Sequence, residues 1–231
     1  MSIDVLGKKL LFLTAHPDDE SFLASATMLA NHRQGGRSYI ICATFGEQGK
    51  SQLAHSVSPA QLKRIRQAEL RQVSKKLKVA KLFTLGLPDG ELKRHESVIL
   101  SRCRTIARTL KPNYIVSFGP DGISRHLDHI AIGRVARRLA DELVLPFLAF
   151  ARPPKIAYRE EFYRSLRRHG VYARTLGYTK PNLKILADPK RKLAVIRLHK
   201  SQLKQARPLP SMPAYALREI LSAEYFVCPP K

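Results

Sequence analysis

Histidine and acidic residues occur together in HPDDE at 16–20, directly after an apolar run of this 231-residue chain. Three adjacent carboxylates repel one another and are costly to bury, but a nearby divalent cation lets several of them stay ionised. His16 and Asp19 are three residues apart across a predicted strand-to-helix turn, so both could face one ion and leave Asp18 for another role. A simple helix cap is the alternative, but it does not account for His16.

A second cluster lies in SRHLDHIAIGR at 124–134, where His126 and His129 are also three residues apart. Either histidine, combined with His16 and Asp19, gives two imidazoles and one carboxylate with coordination positions left open for water and substrate. The residues alone do not decide between the two. The same ligand set suits non-haem Fe(II) oxygenases, but we expect those on an all-β barrel.

Strand-like and helical patterns alternate over the first 150 residues and must position these side chains. The predicted strands are 8–16, 37–46, 79–87, 112–120 and 146–151. The predicted helices are 19–34, 58–78, 96–111 and 127–143. Alternation of this kind implies βαβ units, so the fold class is α/β: a Rossmann-like, doubly wound, mostly parallel sheet with helices on both faces.

Polar loops follow the first four predicted strands. HPDDE follows the first strand, TFGEQGKS at 44–51 the second, LPDGE at 87–91 the third and GPDGISRHLDH at 119–129 the fourth. Open parallel sheets bind ligands at the carboxyl ends of their strands, which share one edge. We therefore expect the four loops to form one site.

Residues 151–231 depart from the alternation and are predicted to form a C-terminal α/β elaboration. The expected elements are short strands at 151–158 and 178–188 and helices at 159–170, 188–206 and 213–227. Because no repeat, low-complexity tract or flexible linker interrupts the chain, one domain over 1–231 with its core at 1–150 is the simplest organisation.

The net charge of +23 and the pI of about 10.4 are the unusual totals of this chain. Such a charge suits nucleic acid, an anionic membrane face or an acidic small substrate. The basic residues are spread over helical patterns without interleaved aromatic residues, and no zinc-finger or RNP motif is present. A solvated helix surface is therefore the preferred interpretation, and nucleic acid is a disfavoured partner.

The start of the chain resembles a signal peptide, with a lysine pair before an apolar run. However, the run is short, no small-residue cleavage site follows and acids come next, so we predict a first strand and a cytoplasmic protein. No apolar run approaches the roughly 20 residues that cross a bilayer. Cys42, Cys103 and Cys228 are far apart, which argues against both a disulfide framework and a thiolate zinc site.

The two histidine motifs resemble those of the PIG-L/LmbE-like family of zinc-dependent N-deacetylases. Residues 15–20 match the family's AHPDDE motif in full, and GPDGISRHLDH matches its second motif, with Leu127 in place of the usual proline. TFGEQG, RQAEL before LGLPDGEL, and HKSQ are weaker matches. The resemblance covers nearly all of the chain except residues 150–180.

The resemblance implies a zinc ion held by His16, Asp19 and His129. Fe²⁺ or another divalent metal also suits this set. By the same resemblance, Asp18 is the general base, and His126, oriented by Asp128, stabilises the oxyanion and acts as an acid.

This assignment is consistent with amide hydrolysis. Zinc lowers the pKa of bound water to about 7 and polarises the acetyl carbonyl, which that water attacks. A protonated His126 would stabilise the oxyanion, a contribution of about 3 kcal/mol for one donor. Asp18 would take the water proton, and Asp18 or His126 would then protonate the amine.

Four further residues are candidates for substrate binding: Glu47, Arg66, Asp89 and His199. Glu47 and Asp89 could bind substrate hydroxyls, although turn chemistry beside glycine explains them equally well. Arg66 could pair with a substrate anion or be a solvated helix residue. His199 could approach the active site or be a surface or core histidine.

The predicted function is removal of an acetyl group from an N-acetylglucosamine-type sugar or glycoconjugate, and the basic charge favours an anionic substrate. The alternatives are an amidase on larger sugar-thiol conjugates and, from another class, a nucleic-acid-binding protein with a vestigial site. A homo-oligomer stays open.

Overall fold

A computed structural model describes residues 4–53, 56–157, 179–203 and 213–228. Its strands form one sheet in the order β3-β2-β1-β4-β5-β7-β6. The strands are β1 (Lys9–Thr14), β2 (Arg37–Cys42), β3 (Lys81–Thr84), β4 (Tyr114–Phe118), β5 (Phe147–Ala151), β6 (Leu183–Leu186) and β7 (Ala223–Val227). The first five are parallel, and β7 pairs antiparallel with β5 and β6. The mostly parallel α/β fold is thus confirmed.

Helices cover both faces of this sheet, with α4 packed on α6, and α1 and α2 packed on α7. The helices are α1 (Asp19–Leu23), α2 (Ser25–Arg33), α3 (Pro59–Lys76), α4 (Glu96–Leu110), α5 (Gly122–Arg125), α6 (Leu127–Glu142), α7 (Pro189–Ile196) and α8 (Ala214–Ser222). Short 3₁₀ turns span Leu92–His95 and Lys200–Gln202.

Strand β1 lies inside the sheet between β2 and β4, and the first motif follows it at the carboxyl edge. Leu10 to Thr14 are all buried, as expected for a parallel strand covered on both faces. Helix α3 begins at a capping box, in which Ser58 accepts the N–H of Gln61 and the Gln61 side chain accepts the N–H of Ser58. Pro59 fits the first helical position because it needs no N–H partner there.

The predicted helix at 19–34 is two helices, because Ala24 leaves the helical conformation with φ of −145°. The carboxylate of Glu224, in β7, accepts the N–H groups of Ala26 and Thr27 at 2.9 and 2.8 Å. A distant acidic residue thus caps the new start at Ser25, which no local pattern could show.

The C-terminal predictions need larger corrections. The predicted helix at 213–227 is helix only to Ser222, and its last five residues form β7. The predicted helix at 188–206 ends at Ile196 and is followed by a 3₁₀ turn. The predicted strand at 151–158 is described only to residue 157, and within 151–157 Ala151 alone belongs to the sheet, while 154–157 form a turn. The predicted helix at 159–170 lies outside the described residues.

A buried ion pair joins α7 to the cap of α2. Lys192 Nζ lies 2.7 Å from Glu224 Oε1, and both side chains are about 1% exposed. Burial lowers the pKa of Lys192, and Glu224 opposes this effect. Because the same carboxylate caps α2, the pair fastens the C-terminal elaboration to the helices that follow β1.

We expect Lys192→Met to lower the free energy of unfolding by about 3–5 kcal/mol, since it leaves the buried Glu224 carboxylate without its cation. Urea unfolding followed by circular dichroism measures the change. Lys190→Met, at an exposed position on the same helix, is the matched control and should change stability by less than about 0.5 kcal/mol. Equal effects of the two substitutions would contradict a stabilising role for the pair.

Within the described ranges, no helix combines the length and the apolar character that crossing a bilayer requires.

Candidate metal centre and active site

The loops after β1 and β4 bring three predicted ligands together at the carboxyl edge of the sheet. His16 Nδ1 lies 3.3 Å from His129 Nε2, and Asp19 Oδ1 lies 3.2 Å from the same Nε2. The distance from His16 Nδ1 to Asp19 Oδ2 is 4.0 Å. Ligand atoms of a tetrahedral zinc site, with bonds of about 2.0–2.2 Å, lie about 3.3–3.6 Å apart. The two distances to His129 Nε2 are thus close to those of a metal centre, whereas the third is longer and involves Asp19 Oδ2, which accepts backbone N–H groups.

His129 is held with one nitrogen facing this cluster. Its Nδ1 lies 3.0 Å from the carbonyl oxygen of Gly122 and must carry the proton, because a carbonyl only accepts. The ring also stacks on Phe118, with 4.0 Å between ring centroids. The Nε2 lone pair is thereby fixed toward His16 and Asp19.

His16 is oriented in the same way by two acids. Its Nε2 lies 3.0 Å from Asp89 Oδ1 and 3.3 Å from Asp128 Oδ2, so Nε2 carries the proton and Nδ1 faces His129. Burial lowers the pKa of His16, but hydrogen bonds to Asp128 and Asp89 outweigh it and raise the pKa to about 10. The surroundings thus favour positive charge on this ring, whether a proton or a metal ion supplies it.

Asp19 is buried among groups that favour its ionised form. Its Oδ2 accepts the N–H groups of Ala15 and His16, each at 2.9 Å. Burial raises the pKa of Asp19, but the charge and hydrogen bond of His129 and the proximity of His16 lower it well below its usual value. Its Oδ1 is left to face His129 Nε2.

The donor set fits a divalent cation. Two imidazole nitrogens whose other nitrogens donate elsewhere present lone pairs at 3.3 Å, beside a carboxylate. Such an arrangement is stabilised by a shared cation. Among the described residues, two groups have ligand atoms that all lie within 4.8 Å of one another: His16 with His126 and His129, and His16 with Asp89 and Asp128, so Asp19 is in neither group. In the second group, Asp89 and Asp128 accept the Nε2–H of His16, so they suit the role of orienting the His16 ring better than that of metal ligands.

Asp18 stands beside this cluster in an unusual backbone conformation. Its φ is +114°, a value that L-residues rarely adopt, at a cost of roughly 1–3 kcal/mol. Arg66 Nη2 donates to Asp18 Oδ2 at 3.2 Å and to the carbonyl oxygen of Pro17 at 2.5 Å. Burial raises the pKa of Asp18 to about 6, with Arg66 opposing and Asp19 adding to the rise. A carboxyl with a pKa near neutrality suits proton transfer.

His126 is exposed at the start of α6, on the other side of the cluster. Its Nδ1 accepts the N–H of Asp128 at 3.2 Å, so the neutral ring carries its proton on Nε2. Although the residue is exposed overall, desolvation of its ring beside the cluster, followed by the proximity of His16 and His129, lowers the pKa of His126 to about 4. The lowered pKa favours the neutral ring, which can donate a hydrogen bond through Nε2–H, and the protonated ring stays a prediction from the sequence.

The predicted link from Asp128 to His126 also differs in detail. The Asp128 carboxylate faces His16 rather than His126, and it accepts the N–H groups of Gly90 at 2.7 Å and Leu92 at 3.0 Å. Its backbone N–H is the group that contacts His126. Asp128 thus joins the two histidine motifs through separate atoms.

Two predicted substrate-binding residues are buried within the protein. Arg66 is 4% exposed and donates to Asp18, Pro17 and the carbonyl oxygen of Gly46. Gly46 has φ of +67°, and a Cβ there would lie 2.2 Å from Arg66 Nη1, which explains its need for glycine. His199 is 0% exposed and lies 2.8 Å from Glu20 Oε1. Neither side chain faces an open surface.

The other two candidates differ from each other. Asp89 is buried, its carboxylate contacts His16 and the N–H of Gln48, and the hydrogen bond from His16 overcomes burial and lowers its pKa to about 2. Glu47 is partly exposed and accepts the N–H of Asp89 through Oε1 at 3.1 Å. Its Oε2 is itself buried and has no hydrogen-bond partner among the described residues.

Phe118 and Gly122 support His129 but were not recognised from the sequence. Gly122 belongs to the GPDG sequence of the second motif, but the sequence does not predict that its carbonyl oxygen contacts His129. Phe118 is the last residue of a buried strand, and nothing in the sequence distinguishes it from other core residues. Both contacts depend on the turn that returns α6 to the end of β4.

A family model described as GlcNAc-PI de-N-acetylase, PIG-L, matches residues 11–140, more than half of the chain. The chain belongs to the PIG-L family. The matched region contains both histidine motifs and every side chain of the proposed metal cluster.

Two curated relatives share this region. A 1D-myo-inositol 2-acetamido-2-deoxy-alpha-D-glucopyranoside deacetylase from Streptomyces avermitilis is 30% identical over an alignment of 160 residues, which covers 60% of this chain and 54% of that protein. A probable N-acetyl-alpha-D-glucosaminyl L-malate deacetylase 2 from Bacillus anthracis is 31% identical over an alignment of 143 residues, which covers 58% of this chain and 60% of that protein. This chain thus spans less than two thirds of the length of each of these two relatives.

Solved structures extend the similarity over the whole fold. N,N'-diacetylchitobiose deacetylase from Pyrococcus horikoshii has a TM-score of 0.69 at 23% identity, with 96% of this chain and 84% of that chain covered. The 4-carboxy-2-hydroxymuconate hydratase GalB from Pseudomonas putida KT2440 has a TM-score of 0.65 at 17% identity, with 97% of each chain covered. Because a hydratase shares the fold, the PIG-L site rather than the fold must carry the functional argument.

Proposed function

We propose that this protein is a metal-dependent N-deacetylase that removes an acetyl group from an N-acetylglucosamine-type sugar or glycoconjugate. The observation that carries the proposal is the meeting of His16, Asp19 and His129 beside the Asp18 carboxylate. Family membership and relatives named as deacetylases of acetamido sugars support the substrate class.

The metal would be held by His16 through Nδ1, by the Asp19 carboxylate and by His129 through Nε2. When bound, a divalent metal supplies Lewis acidity for the acetyl carbonyl and lowers the pKa of water. Zinc is our preferred ion, and Fe²⁺ fits the same donors. Asp89 and Asp128 keep the proton of His16 on Nε2, so the ring stays oriented as a ligand.

Asp18 takes the proton of the attacking water in this proposal. Its raised pKa makes the carboxylate basic enough to accept the proton and leaves the acid able to donate it near neutral pH. Arg66 fixes the direction of the Asp18 carboxylate by donating a hydrogen bond to its Oδ2. Asp18 then delivers the proton to the departing amine, because the Nε2–H of a neutral His126 is engaged in the hydrogen bond to the oxyanion.

His126 donates its Nε2–H to the oxygen that becomes negative during attack. A neutral imidazole is a hydrogen-bond donor of fixed direction here, because its Nδ1 is held by the N–H of Asp128. One such donor contributes on the order of 3 kcal/mol to stabilisation of the oxyanion.

Substrate hydroxyls would bind to Glu47, which alone of the four candidates is partly exposed. Arg66, Asp89 and His199 would act indirectly, by holding other side chains of the site. The net charge of +23 would favour anionic glycosides by electrostatic steering.

Metal analysis together with an amine-release assay tests the function. The panel contains neutral and anionic N-acetylglucosaminides, a sugar-thiol conjugate and the same sugars with the acetamide replaced by a hydroxyl as blanks. We expect one metal per chain and amine release from the acetylated glucosaminides. Release only from the thiol conjugate would favour the amidase, while tight, salt-sensitive DNA binding without metal or amine release would favour the vestigial site.

A further inference from the structure

The backbone N–H of Asp18 is bonded by a buried acid two residues later in the chain. Glu20 is 0% exposed, and its Oε2 accepts the Asp18 N–H at 3.1 Å. Asp18 has φ of +114°, so its backbone needs a partner that fixes it there. Arg66 holds the other end of the residue through the carboxylate. Asp18 is thus held at two separate points.

Glu20 is in turn held by a residue from the far end of the described chain. His199 Nε2 lies 2.8 Å from Glu20 Oε1, and both side chains are completely buried. The Ser21 hydroxyl donates to the same Oε1 at 2.6 Å. His199 Nδ1 has no partner in the parts of the chain that the structure describes, so Glu20 is the acid that fixes this ring.

We infer that Glu20 and His199 are positioning residues, which set the place of the Asp18 carboxylate by bonding the Asp18 backbone. The inference rests on the proposed role of Asp18 as the base. Catalytic geometry is sensitive to displacements of about 1 Å, which cost up to roughly a hundredfold in rate. Neither residue touches substrate, because both are enclosed in the protein.

The molecule contains a matched pair for comparison. Glu224 and Lys192 form an equally buried ion pair, and Glu224 also accepts backbone N–H groups, but at the start of α2. Both acids receive hydrogen bonds on both oxygens, so glutamine at either position turns its NH₂ group against a donor. Glu20→Gln and Glu224→Gln therefore disturb buried networks of the same kind, and only the first network reaches Asp18.

The first experiment measures kcat, KM and metal content of the full chain with each substitution. We expect Glu20→Gln to lower kcat about 10- to 100-fold per folded molecule, with KM within threefold and metal content unchanged. Glu224→Gln should lower thermal stability and leave kcat within twofold. His199→Gln keeps an N–H donor and should retain most of kcat, whereas His199→Leu should behave as Glu20→Gln does.

The second experiment follows the Asp18 amide by ¹⁵N–¹H NMR and does not need activity. We expect its resonance and its protection from exchange to change in His199→Leu and to be unchanged in Glu224→Gln. An unchanged Asp18 amide in His199→Leu, or kcat within twofold of wild type in both Glu20→Gln and His199→Leu, would overturn the inference. A wild type that releases no amine would refute the proposed function, while the amide still decides the positioning.

Discussion

Replacement of Asp18 by asparagine is expected to abolish most turnover and to leave the metal in place. Asparagine keeps the shape of the side chain and can still accept from Arg66, but it cannot take a proton from water. General-base catalysis contributes roughly 10²- to 10⁴-fold, so kcat should fall by that factor. Steady-state amine release and metal analysis of the same preparation measure the two quantities.

Asp188→Asn serves as the control for this substitution. Asp188 is an exposed helix cap at the start of α7, whose carboxylate accepts the N–H groups of Lys190 and Arg191. Its substitution should leave kcat within twofold. A near-normal rate in Asp18→Asn would show that another group accepts the proton.

The second large effect concerns the choice between the two late histidines. His129→Leu should lower metal content from about one per chain to a small fraction after dialysis, because Nε2 of this ring faces both His16 and Asp19. Added zinc should then no longer raise Tm, since a ligand stabilises a protein only through the folded state that binds it. Activity should fall to background. Metal analysis and thermal scans with and without zinc provide the measurements.

His126→Leu is the matched control, with the same substitution three residues away on the same segment. It should keep the metal and the zinc-dependent rise in Tm, but lose turnover by roughly a hundred- to a thousandfold through loss of the oxyanion donor. If His126→Leu lost the metal and His129→Leu kept it, the ligand assignment would be reversed.

The core of the fold could be predicted from the sequence because each of its strands and helices has a recognisable pattern within its own residues. Each strand of β1–β5 is an apolar run, each following helix shows its own periodicity, and parallel strands must place their polar loops at one edge. The meeting of 16–20 with 119–129 follows from that rule alone. The order of β6 and β7 does not, because AEYFV at 223–227 continues a helical pattern and becomes a strand only through its pairing with β5 and β6.

The directions of side chains were less predictable than their positions. The spacing of His126 and His129 is compatible with either as a ligand, and the difference arises from the Gly122 carbonyl and Phe118 beside His129. The sequence around Arg66 is that of an exposed helix arginine, and its burial depends on the turn at Gly46, which packs against the guanidinium group. His199 is separated from Glu20 by 179 residues, so only the folded chain shows that they meet.

The Glu224 cap has a consequence for the order in which the chain can fold during synthesis. Helix α2 follows directly on the first motif, yet the carboxylate that caps it is made almost 200 residues later. When β1 to β5 have left the ribosome, the nascent chain therefore still lacks β7 and, within it, the Glu224 carboxylate that caps α2. Contacts of such long sequence separation slow folding, because the loop between them must be closed first. The helix that follows the first motif therefore leaves the ribosome well before the residue that caps it.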